Sequence, residues 1–383
     1  MTTSRAGVLV VGAGPAGSVA ALVLARAGVP VRLVDRAVFP RPKLCGDTVN
    51  PGTLALLDRL GAGGAVRAAG RPFTGMTVTG PAGVSVTADY PDGRAGVAIE
   101  RSALDALLVQ AAIDAGADFG PAVDVTRPRI DAGGARVTGV EAGRGSRRVA
   151  IEAALVIAAD GRRSRLAGAL GLARVPARPK RWAFGAYFTG VHGLSSRGEM
   201  HVRRDGYTGV APLGPCLANV CVVRELGRVP PGGRACGDDL LDRAIAGDPM
   251  LRERFAGARR LGPVMALGPL AVDAVAAGCP GLLLAGDAAG FIDPMTGDGL
   301  RFAIRGGELA AEAALSELEH GAPAHARLCA ARRREFGGKW RFNRGLRLLV
   351  AHPSGVALAA GMASFWPAPF RSLVAAAGDV GLA

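Results

Sequence analysis

Gly7-Val-Leu-Val-Val-Gly12-Ala-Gly14-Pro-Ala-Gly17 joins a short apolar run to a Gly-x-Gly-x-x-Gly turn. The unbroken apolar run predicts a strand that is buried on both faces. Residues 18–27 then have the composition of a helix that ends at Gly28, and residues 31–34 predict a second strand that ends at Asp35. This spacing predicts the first βαβ unit of a dinucleotide-binding fold.

Each position of the turn has a separate physical role. Gly12 permits the tight turn, Gly14 lets the backbone approach a pyrophosphate, and Gly17 lets the helix pack closely on the strand. The helix N-terminus stabilises the phosphate charge. Asp35 is placed to accept hydrogen bonds from ribose hydroxyls. The turn alone does not distinguish FAD from NAD.

A second glycine-rich segment, far downstream, favours a flavin. Residues 281–285 predict another buried strand, followed by Gly286-Asp287 and by Gly297-Asp-Gly299 at the start of a helix. A carboxylate directly after a strand can hold ribityl hydroxyls, and the amides of a helix N-terminus can face the pyrimidine edge of a flavin. The helix dipole would stabilise the negative charge that develops there on reduction. An ordinary strand-turn-helix also uses glycines, but the N-terminal glycine turn in the same chain favours FAD.

Two more segments complete the pattern. Residues 155–159 predict a strand that ends in Asp160-Gly161. Arg101-Ser-Ala-Leu-Asp105 opens a helix whose apolar positions 104, 107, 108 and 111 share one face.

Taken in order, these motifs resemble the FAD-dependent oxidoreductases of the p-hydroxybenzoate hydroxylase structural class. Residues 39–47, Phe-Pro-Arg-Pro-Lys-Leu-Cys-Gly-Asp, and residues 290–299 most resemble its geranylgeranyl reductase-like family. The resemblance runs from residue 8 to about residue 310. It implies an α/β fold in which a Rossmann-like FAD-binding domain of the glutathione reductase type is interleaved with a mixed-sheet substrate domain and followed by a helical C-terminal cap.

The resemblance also implies which residues contact FAD. They lie in the glycine turns, at strand ends and in the segment around Cys45, and they are Gly12, Gly14, Ala16, Gly17, Asp35, Arg36, Cys45, Gly46, Arg101, Asp160, Gly161, Gly286, Asp287, Pro294, Gly297, Gly299 and Leu300. No second Gly-x-Gly-x-x-Gly is present for a nicotinamide, which is normal in this class. We expect FAD as the cofactor and NAD(P)H as the reductant.

Cys45 is the candidate catalytic residue. A cysteine at the matching position is characteristic of the prenyl reductases. A thiol beside a flavin can donate a proton to carbon after hydride transfer to a C=C bond, and it can also simply pack. Both roles stay open at this point.

Residues 206–214 resemble the family's substrate-cavity segment, which is commonly Tyr-x-Trp-x-Phe-Pro. Tyr207 and Pro212 match this pattern, whereas Gly209 and Ala211 stand where the Trp and the Phe are common. Without these two rings we expect a wider or differently shaped cavity on the same backbone. A polycyclic, quinone or polyketide-like substrate therefore fits at least as well as a prenyl chain.

The leading hypothesis is an FAD-dependent oxidoreductase that uses hydride from flavin N5 to reduce a C=C bond in a lipophilic small molecule. One alternative is a flavin-dependent monooxygenase, a hydroxylase or epoxidase of an aromatic or polyketide-like substrate in secondary metabolism. Another is a non-enzymatic flavoprotein that only senses redox state and binds a membrane or a partner through its basic tail. A halogenase is disfavoured, because the segment after Arg41 reads Cys-Gly-Asp and no Gly-x-Gly-Trp-x-Trp-x-Ile-Pro stretch is present.

The predicted domains interrupt one another along the chain. The FAD-binding domain is expected at 1–72, 95–175 and 276–320, the substrate domain at 73–94 and 176–275, and a helical C-terminal region at 321–383. Within the substrate domain, the alternating residues 74–87 predict a hairpin. Residues 183–189 and 218–223 predict strands, and positions 240, 241, 244 and 245 predict one face of a helix that stops at Gly247.

The charge of the chain is concentrated near its C-terminus. The 383 residues include 46 Lys+Arg and 32 Asp+Glu, for a net charge of +14. Half of this excess lies between residues 321 and 347, which predicts either a solvated helical cap over the cavity or a face in peripheral contact with anionic lipid. No aromatic-basic interleaving or zinc-finger spacing accompanies it, so we predict no nucleic-acid partner.

The cysteines indicate a reducing compartment. The 6 cysteines include no Cys-x-x-Cys pair and no close His partner, which predicts free thiols and no metal site. No signal peptide precedes the first strand, and no uninterrupted apolar stretch reaches the length of a membrane span. We expect a cytoplasmic protein with no integral span, associated with a membrane only if the basic tail meets lipid.

Overall fold

A computed structural model describes residues 4–80, 84–143, 145, 148–174, 181–226, 234–291, 297–351 and 367–380. The described chain is built on two large β-sheets, one mainly parallel and one mainly antiparallel. Helices cover the parallel sheet, and a C-terminal helix reaches across to the space between the two sheets.

The first sheet has eight strands with a parallel centre. Its strands are β1 (Ser4–Val11), β2 (Val31–Val34), β8 (Asp118–Gly120), β9 (Val125–Ile130), β10 (Val137–Ala142), β11 (Val149–Ala158), β19 (Gly278–Cys279) and β20 (Leu282–Leu284). The order β20-β11-β1-β2-β8 is parallel throughout, and β19, β10 and β9 pair antiparallel at its margins. The strands predicted from the four apolar runs are confirmed as β1, β2, β11 and β20.

The second sheet has seven strands in the order β17-β13-β16-β15-β14-β5-β6. These strands are β5 (Gly75–Thr79), β6 (Ser85–Asp89), β13 (Arg181–Thr189), β14 (Arg197–Arg203), β15 (Gly206–Pro212), β16 (Leu217–Glu225) and β17 (Arg259–Leu267). All neighbours are antiparallel except β5 and β14. The predicted hairpin is confirmed as β5 and β6, and the two predicted strands are confirmed as β13 and β16.

Short strands complete the β structure. A small antiparallel sheet contains β3 (Thr48–Val49), β4 (Arg71–Phe73) and β7 (Gly96–Ala98). A separate antiparallel pair contains β12 (Ala173–Arg174) and β18 (Asp273–Ala274).

The helices of the described residues vary widely in length. They are α1 (Pro15–Arg26), α2 (Pro51–Arg59), α3 (Gly63–Ala69), α4 (Arg101–Asp114), α5 (Arg165–Ala169), α6 (Arg234–Ala246), α7 (Pro249–Arg252), α8 (Gly299–His320), α9 (Ala324–Ala351) and α10 (Pro367–Ala377). The helix predicted before Gly247 is confirmed as α6. None of these helices is both long enough and apolar enough to cross a bilayer.

The main core lies between the parallel sheet and helices α1, α4 and α8. Helices α1 and α8 approach each other closely because Gly307 has no side chain; a Cβ there would lie 2.2 Å from the carbonyl oxygen of Ala16. Helix α8 ends at Gly321, whose φ of 70° is the left-handed conformation that favours glycine. This contact fixes α8, and with it the Gly297–Gly299 turn, relative to the N-terminal glycine turn.

The end of the C-terminal helix α10 is hydrogen-bonded to the start of α2. The Asn50 side-chain amide donates to the Ala377 carbonyl at 3.1 Å, and the Gly52 N–H donates to the Gly378 carbonyl at 3.0 Å. The fold class implied by the family resemblance is confirmed: an α/β chain with a Rossmann-like sheet, a mixed sheet and C-terminal helices.

Candidate active site

Three glycine-containing loops meet at one edge of the parallel sheet. They follow β1, β11 and β20, which are neighbours with aligned ends. The Ala159 N–H donates to the Val11 carbonyl at 2.8 Å, and the Ala285 N–H donates to the Ala158 carbonyl at 2.9 Å. Because parallel strands end at the same edge, loops that are far apart in sequence lie side by side, and this edge is where such sheets bind ligands.

The first loop has the close packing that its glycines predict. Gly12 has a φ of 100°, and a Cβ at Gly17 would lie 1.8 Å from the Gly12 carbonyl oxygen. At Gly14, by contrast, a Cβ would meet only one Arg41 guanidinium nitrogen, at 3.6 Å. Gly17 therefore closes the turn against the helix, while Gly14 leaves room on the outer side for a ligand to approach the backbone.

Asp35 lies directly behind this loop and is buried. Its two carboxylate oxygens accept the backbone N–H groups of Ala13 at 2.7 Å and Ala37 at 2.8 Å. Each oxygen has a second lone pair, so these bonds leave capacity for a ribose hydroxyl. Arg36 is exposed beside it.

A cavity of about 320 Å³ runs from the glycine loops to the second sheet. Most of the predicted FAD-contacting residues line it, namely Gly14, Ala16, Cys45, Gly46, Arg101, Gly161, Gly286, Asp287, Gly297, Gly299 and Leu300. Those outside its lining are Gly12, Gly17, Asp35, Arg36 and Asp160. Pro294 lies outside the described residues.

The far end of the cavity is walled by one face of the second sheet. Tyr207, Gly209 and Ala211 line it as predicted, whereas Pro212 does not. Around Gly209 the space is open, because a Cβ there would meet nothing closer than two backbone oxygens at 3.9 Å. Apolar side chains of neighbouring strands, including Val78, Met200, Val202 and Val223, form the rest of this wall.

The sequence predicted a helical C-terminal cap over the cavity but not which residues of α10 and of the second sheet region cover it. Leu373, Val374 and Ala377 of α10 line it together with Phe73 and Tyr90. Burial raises the pKa of the Tyr90 hydroxyl, which is therefore neutral. The only sequence signal for this cover was the apolar spacing within residues 367–377, which does not reveal what the helix packs against.

A buried ion cluster lies beneath the cavity floor. Arg101 donates to the Asp105 carboxylate at 2.8 and 3.3 Å, and Arg41 lies 3.4 Å from the same carboxylate. Burial opposes the charge of Arg101, but Asp105 and the Cys45 thiol outweigh it, so the pKa of this guanidinium lies above its ordinary value. Asp105 thus holds Arg101 charged and pointed at the cavity, a role that the sequence pattern of this helix did not predict.

The Cys45-Gly46-Asp47 segment lies between this cluster and the second sheet. Asn219 of β16 donates through its side-chain amide to the Cys45 carbonyl oxygen at 2.6 Å. Burial raises the pKa of Asp47 to about 7, against the opposing effects of the Tyr187 hydroxyl and of Arg101. Burial, with the nearby Cys45 and Asp47, also raises the pKa of the Cys221 thiol to about 12. Cys221 is therefore a neutral wall residue and not a nucleophile.

Lys43 adds an amine to the cavity lining. Burial and the neighbouring Arg101 guanidinium lower its pKa, and Asp287 and Asp105 oppose them. The lining thus carries Lys43 and Arg101 beside the carboxylate of Asp287, at the end of the cavity where the glycine loops lie.

The arrangement fits FAD. Neither α1 nor α8 has a side-chain hydrogen bond at its N-cap, Gly14 or Asp298, so backbone N–H groups at both helix starts remain for a ligand. The N–H groups at the start of α1 can bind a pyrophosphate. Those at the start of α8 can bind the polar edge of a ring that gains negative charge. The cavity continues past both toward an apolar wall, as expected when a flavin and a substrate share one space.

Comparisons with known proteins agree with this geometry. The FAD binding domain family matches residues 5–198, which is half of the chain. The chain is 32% identical over 347 residues to a menaquinone reductase of Mycolicibacterium smegmatis, covering 81% of this chain and 76% of that protein. It is 31% identical over 330 residues to digeranylgeranylglycerophospholipid reductase 2 of Methanopyrus kandleri, covering 82% of this chain and 77% of that protein.

A longer relative and two solved structures extend the comparison. Conditioned medium factor receptor 1 of Dictyostelium discoideum is 29% identical over 79% of this chain, which spans 62% of that protein's length. A geranylgeranyl bacteriochlorophyll reductase-like protein from Thermoplasma acidophilum superposes with a TM-score of 0.82 at 23% identity, over 95% of this chain and 92% of that one. A flavin-dependent brominase superposes with a TM-score of 0.85 at 20% identity, over 98% and 94%. At these identities the two structures show the shared fold alone.

Three observations lead to one conclusion: the family match, the sequence identity of 31–32% to two reductases over about three quarters of their length, and a cavity that fits FAD. This chain belongs to the FAD binding domain family, and it is an FAD-dependent oxidoreductase with the motifs of the geranylgeranyl reductase-like group.

Proposed function

We propose that this oxidoreductase reduces a C=C bond in a lipophilic small molecule. The observation that carries the proposal is the single cavity that joins the glycine loops of the FAD site to an apolar wall. Two relatives of similar length are named as reductases of menaquinone and of digeranylgeranylglycerophospholipid, and both of these molecules are lipids with unsaturated chains. A cavity with a mainly apolar lining suits such a chain better than a polar metabolite.

The residues of the chain divide the work between binding and proton transfer. FAD, when bound, supplies hydride chemistry at this edge of the parallel sheet. We assign its binding to the residues predicted from the sequence and the substrate wall to Tyr207, Gly209 and Ala211. Cys45 lines the cavity between these two regions, which suits a thiol that gives its proton to the second carbon of the double bond. NAD(P)H is the reductant we propose for returning the cofactor to its reduced state.

The same division underlies the proposed domains. We assign FAD binding to residues 1–72, 95–175 and 276–320, and substrate binding to residues 73–94 and 176–275. We assign residues 321–383 to a helical C-terminal region; of its described residues, those of α10 cover the cavity.

Oxygen dependence separates this proposal from a flavin-dependent monooxygenase. We expect turnover of menaquinone with NAD(P)H to proceed without O2 and to give a product whose isoprenoid chain is two hydrogens heavier after the quinone ring has been reoxidised. Strict dependence on O2, with labelled oxygen in the product, would establish the hydroxylase or epoxidase activity instead.

The open space at Gly209 predicts how substrate size is set. Substitution of Gly209 by Trp places an indole ring in the cavity without a clash at its Cβ. We expect KM for the lipid to rise about tenfold or more, because the ring removes volume that the chain occupies, while FAD retention is unchanged. Steady-state kinetics measure this effect. Gly257→Trp is the control, since a Cβ at Gly257 meets nothing within 4 Å. Equal KM values for the two variants would show that the substrate does not use this wall.

The exposed face of α9 supports a peripheral contact with anionic lipid. Arg327, Arg334 and Arg341 recur every seven residues, so they share one face, and all three are exposed. Within the described residues none of them is in an ion pair, in contrast to Lys339 on the same helix. We propose that this arginine row meets anionic headgroups.

The replacement of all three arginines by Gln tests this contact. Each arginine near an anionic surface contributes about 1 kcal/mol, so the triple variant should bind vesicles of phosphatidylcholine and phosphatidylglycerol about 100-fold less tightly. Cosedimentation measures the binding. A control triple variant, R67Q/R127Q/R243Q, removes three exposed arginines that are already in ion pairs. If both triple variants bind as the parent does, the row is only the solvated face of the cap.

A further inference from the structure

Asp47 is a buried carboxyl group that the binding of FAD or substrate does not explain. Its side chain is 1% exposed, and neither carboxyl oxygen makes a hydrogen bond of ordinary geometry to a described residue. The groups that approach the carboxyl are the Tyr187 hydroxyl and the Arg101 backbone N–H. An unpaired carboxylate in such a place is costly, whereas a protonated carboxyl is not.

The position of Asp47 is fixed by its backbone conformation and by hydrogen bonds to neighbouring segments. Its φ of 53° lies in the left-handed region, which is uncommon for a residue other than glycine. Its carbonyl accepts the Ile99 N–H at 2.9 Å, and two residues earlier the Cys45 carbonyl accepts the Asn219 amide at 2.6 Å. Hydrogen bonds from two other segments therefore fix this turn. Cys45 lines the cavity, whereas Asp47 is buried and does not line it.

Tyr187 interacts with Asp47 and is partly exposed to solvent. It belongs to β13 and is only partly buried. Its pKa is raised by burial and then by Asp47, with smaller effects from Glu100 and Cys45, so the hydroxyl lies near all three groups. Glu100 is exposed to solvent at the start of α4. A neutral hydroxyl can accept a proton on one side while it gives one on the other.

We propose that Asp47 returns a proton to Cys45 after each turnover and is itself reprotonated from solvent through Tyr187. The inference rests on the proposed function of Cys45. When the hydride adds to one carbon of the double bond, the Cys45 thiol gives its proton to the other carbon and becomes a thiolate. The Asp47 carboxyl then gives its proton to that thiolate and becomes a carboxylate. Water beside Glu100 supplies a replacement proton by way of the Tyr187 hydroxyl, and no electrons move in these last two steps.

The pH dependence of this relay follows from the groups around Asp47. The groups that interact with it are Tyr187 on β13, Cys221 on β16, and Glu100 and Arg101 at the start of α4, and Cys45 lies two residues before it on the same turn. Of these, Asp47 is the group whose pKa is raised to about 7. Below that pH it carries a proton to give, and above it the carboxylate cannot donate. The steady-state rate should therefore fall as the pH rises through about 7.

The test compares first and later turnovers in the FAD-loaded enzyme with menaquinone. In Asp47→Asn we expect the first turnover at the parent rate, since the Cys45 thiol already has its proton. Later turnovers should be about tenfold or more slower and should lose the inflection near pH 7. Tyr187→Phe should give the same burst. Cys45→Ala should slow the first turnover as well, and Asp92→Asn, an exposed aspartate with a φ of 57°, should behave as the parent.

A second readout needs no substrate. The pH profile of Cys45 alkylation by iodoacetamide, resolved by peptide mass spectrometry, should show an inflection near pH 7 in the parent that Asp47→Asn removes. If the parent enzyme forms no product but its alkylation profile shows this inflection, the proposed function is contradicted. The coupling between Asp47 and Cys45 is supported in that case. Parent-like later turnovers in Asp47→Asn, or an unchanged alkylation profile, would overturn the relay.

Discussion

Substitution of Gly17 by Ala should produce a protein that does not retain FAD. The added Cβ would lie 1.8 Å from the Gly12 carbonyl oxygen and 3.2 Å from the Ala159 side chain, and the first of these is backbone that cannot rotate away. The turn between β1 and α1 must then open, which separates the amides at the start of α1 from the loops after β11 and β20. Overpacking of this severity costs at least about 3 kcal/mol, or about 100-fold in the Kd for FAD.

Visible flavin absorbance after gel filtration, followed by titration of the apoprotein with FAD, measures this loss. Gly64→Ala is the matched control, since a Cβ at Gly64 meets nothing within 4 Å and the residue lies in α3. We expect the control to keep its flavin. A Gly17→Ala protein that binds FAD as the parent does would mean that the cofactor does not depend on this turn.

Substitution of Lys339 by Met should give the largest loss of stability outside the FAD site. The Lys339 ammonium is buried and lies 3.1 Å from the Asp298 carboxylate and 2.9 Å from that of Asp379, and it donates to the Ala376 carbonyl at 2.5 Å. It thus joins α9 to the turn before α8 and to the end of α10. Its removal takes this cation from the buried Asp298 carboxylate, whereas the Asp379 carboxylate keeps Arg301 at 3.1 Å, and breaking such a buried ion pair destabilises a protein by about 3–5 kcal/mol.

Thermal unfolding and limited proteolysis of the C-terminal segment measure this effect. Arg341→Met, an exposed position on the same helix, should leave the melting temperature unchanged. The triple variant K339M/D298N/D379N should recover part of the loss, because no charge is then left buried without a partner. If Lys339→Met melted with the Arg341→Met control, the ion cluster would not hold the cover of the cavity in place.

The sequence predicted best what short-range patterns determine. The strand, turn, helix and acid between residues 7 and 35 follow one another directly and have separate steric roles. Their spacing alone is therefore sufficient to predict the first βαβ unit. The same holds for Gly286-Asp287 and for the turn before α8. The convergence of these loops also follows, because parallel neighbours in one sheet end at the same edge.

The contacts that the sequence did not reveal join residues far apart in the chain. The sequence analysis gave Asp105 no role, yet this residue is buried, where Arg101 and Arg41 neutralise it. Lys339 belongs to a basic run that looks uniformly exposed, yet two carboxylates from other segments surround it. The burial of Asp47 depends on β13, whose position over the Cys45 turn is a property of the assembled sheet.

The single measurement that tests the reductase assignment most directly is an anaerobic single turnover. The purified enzyme, with its FAD reduced by dithionite, is mixed with menaquinone in the absence of O2, and the flavin absorbance is followed with time. We predict that the oxidised flavin spectrum returns without O2 and that one product forms for each flavin, with an isoprenoid chain that is two hydrogens heavier than that of the substrate after the quinone ring has been reoxidised. A flavin that stays reduced until O2 is admitted, followed by a product that contains an added oxygen atom, would contradict this account.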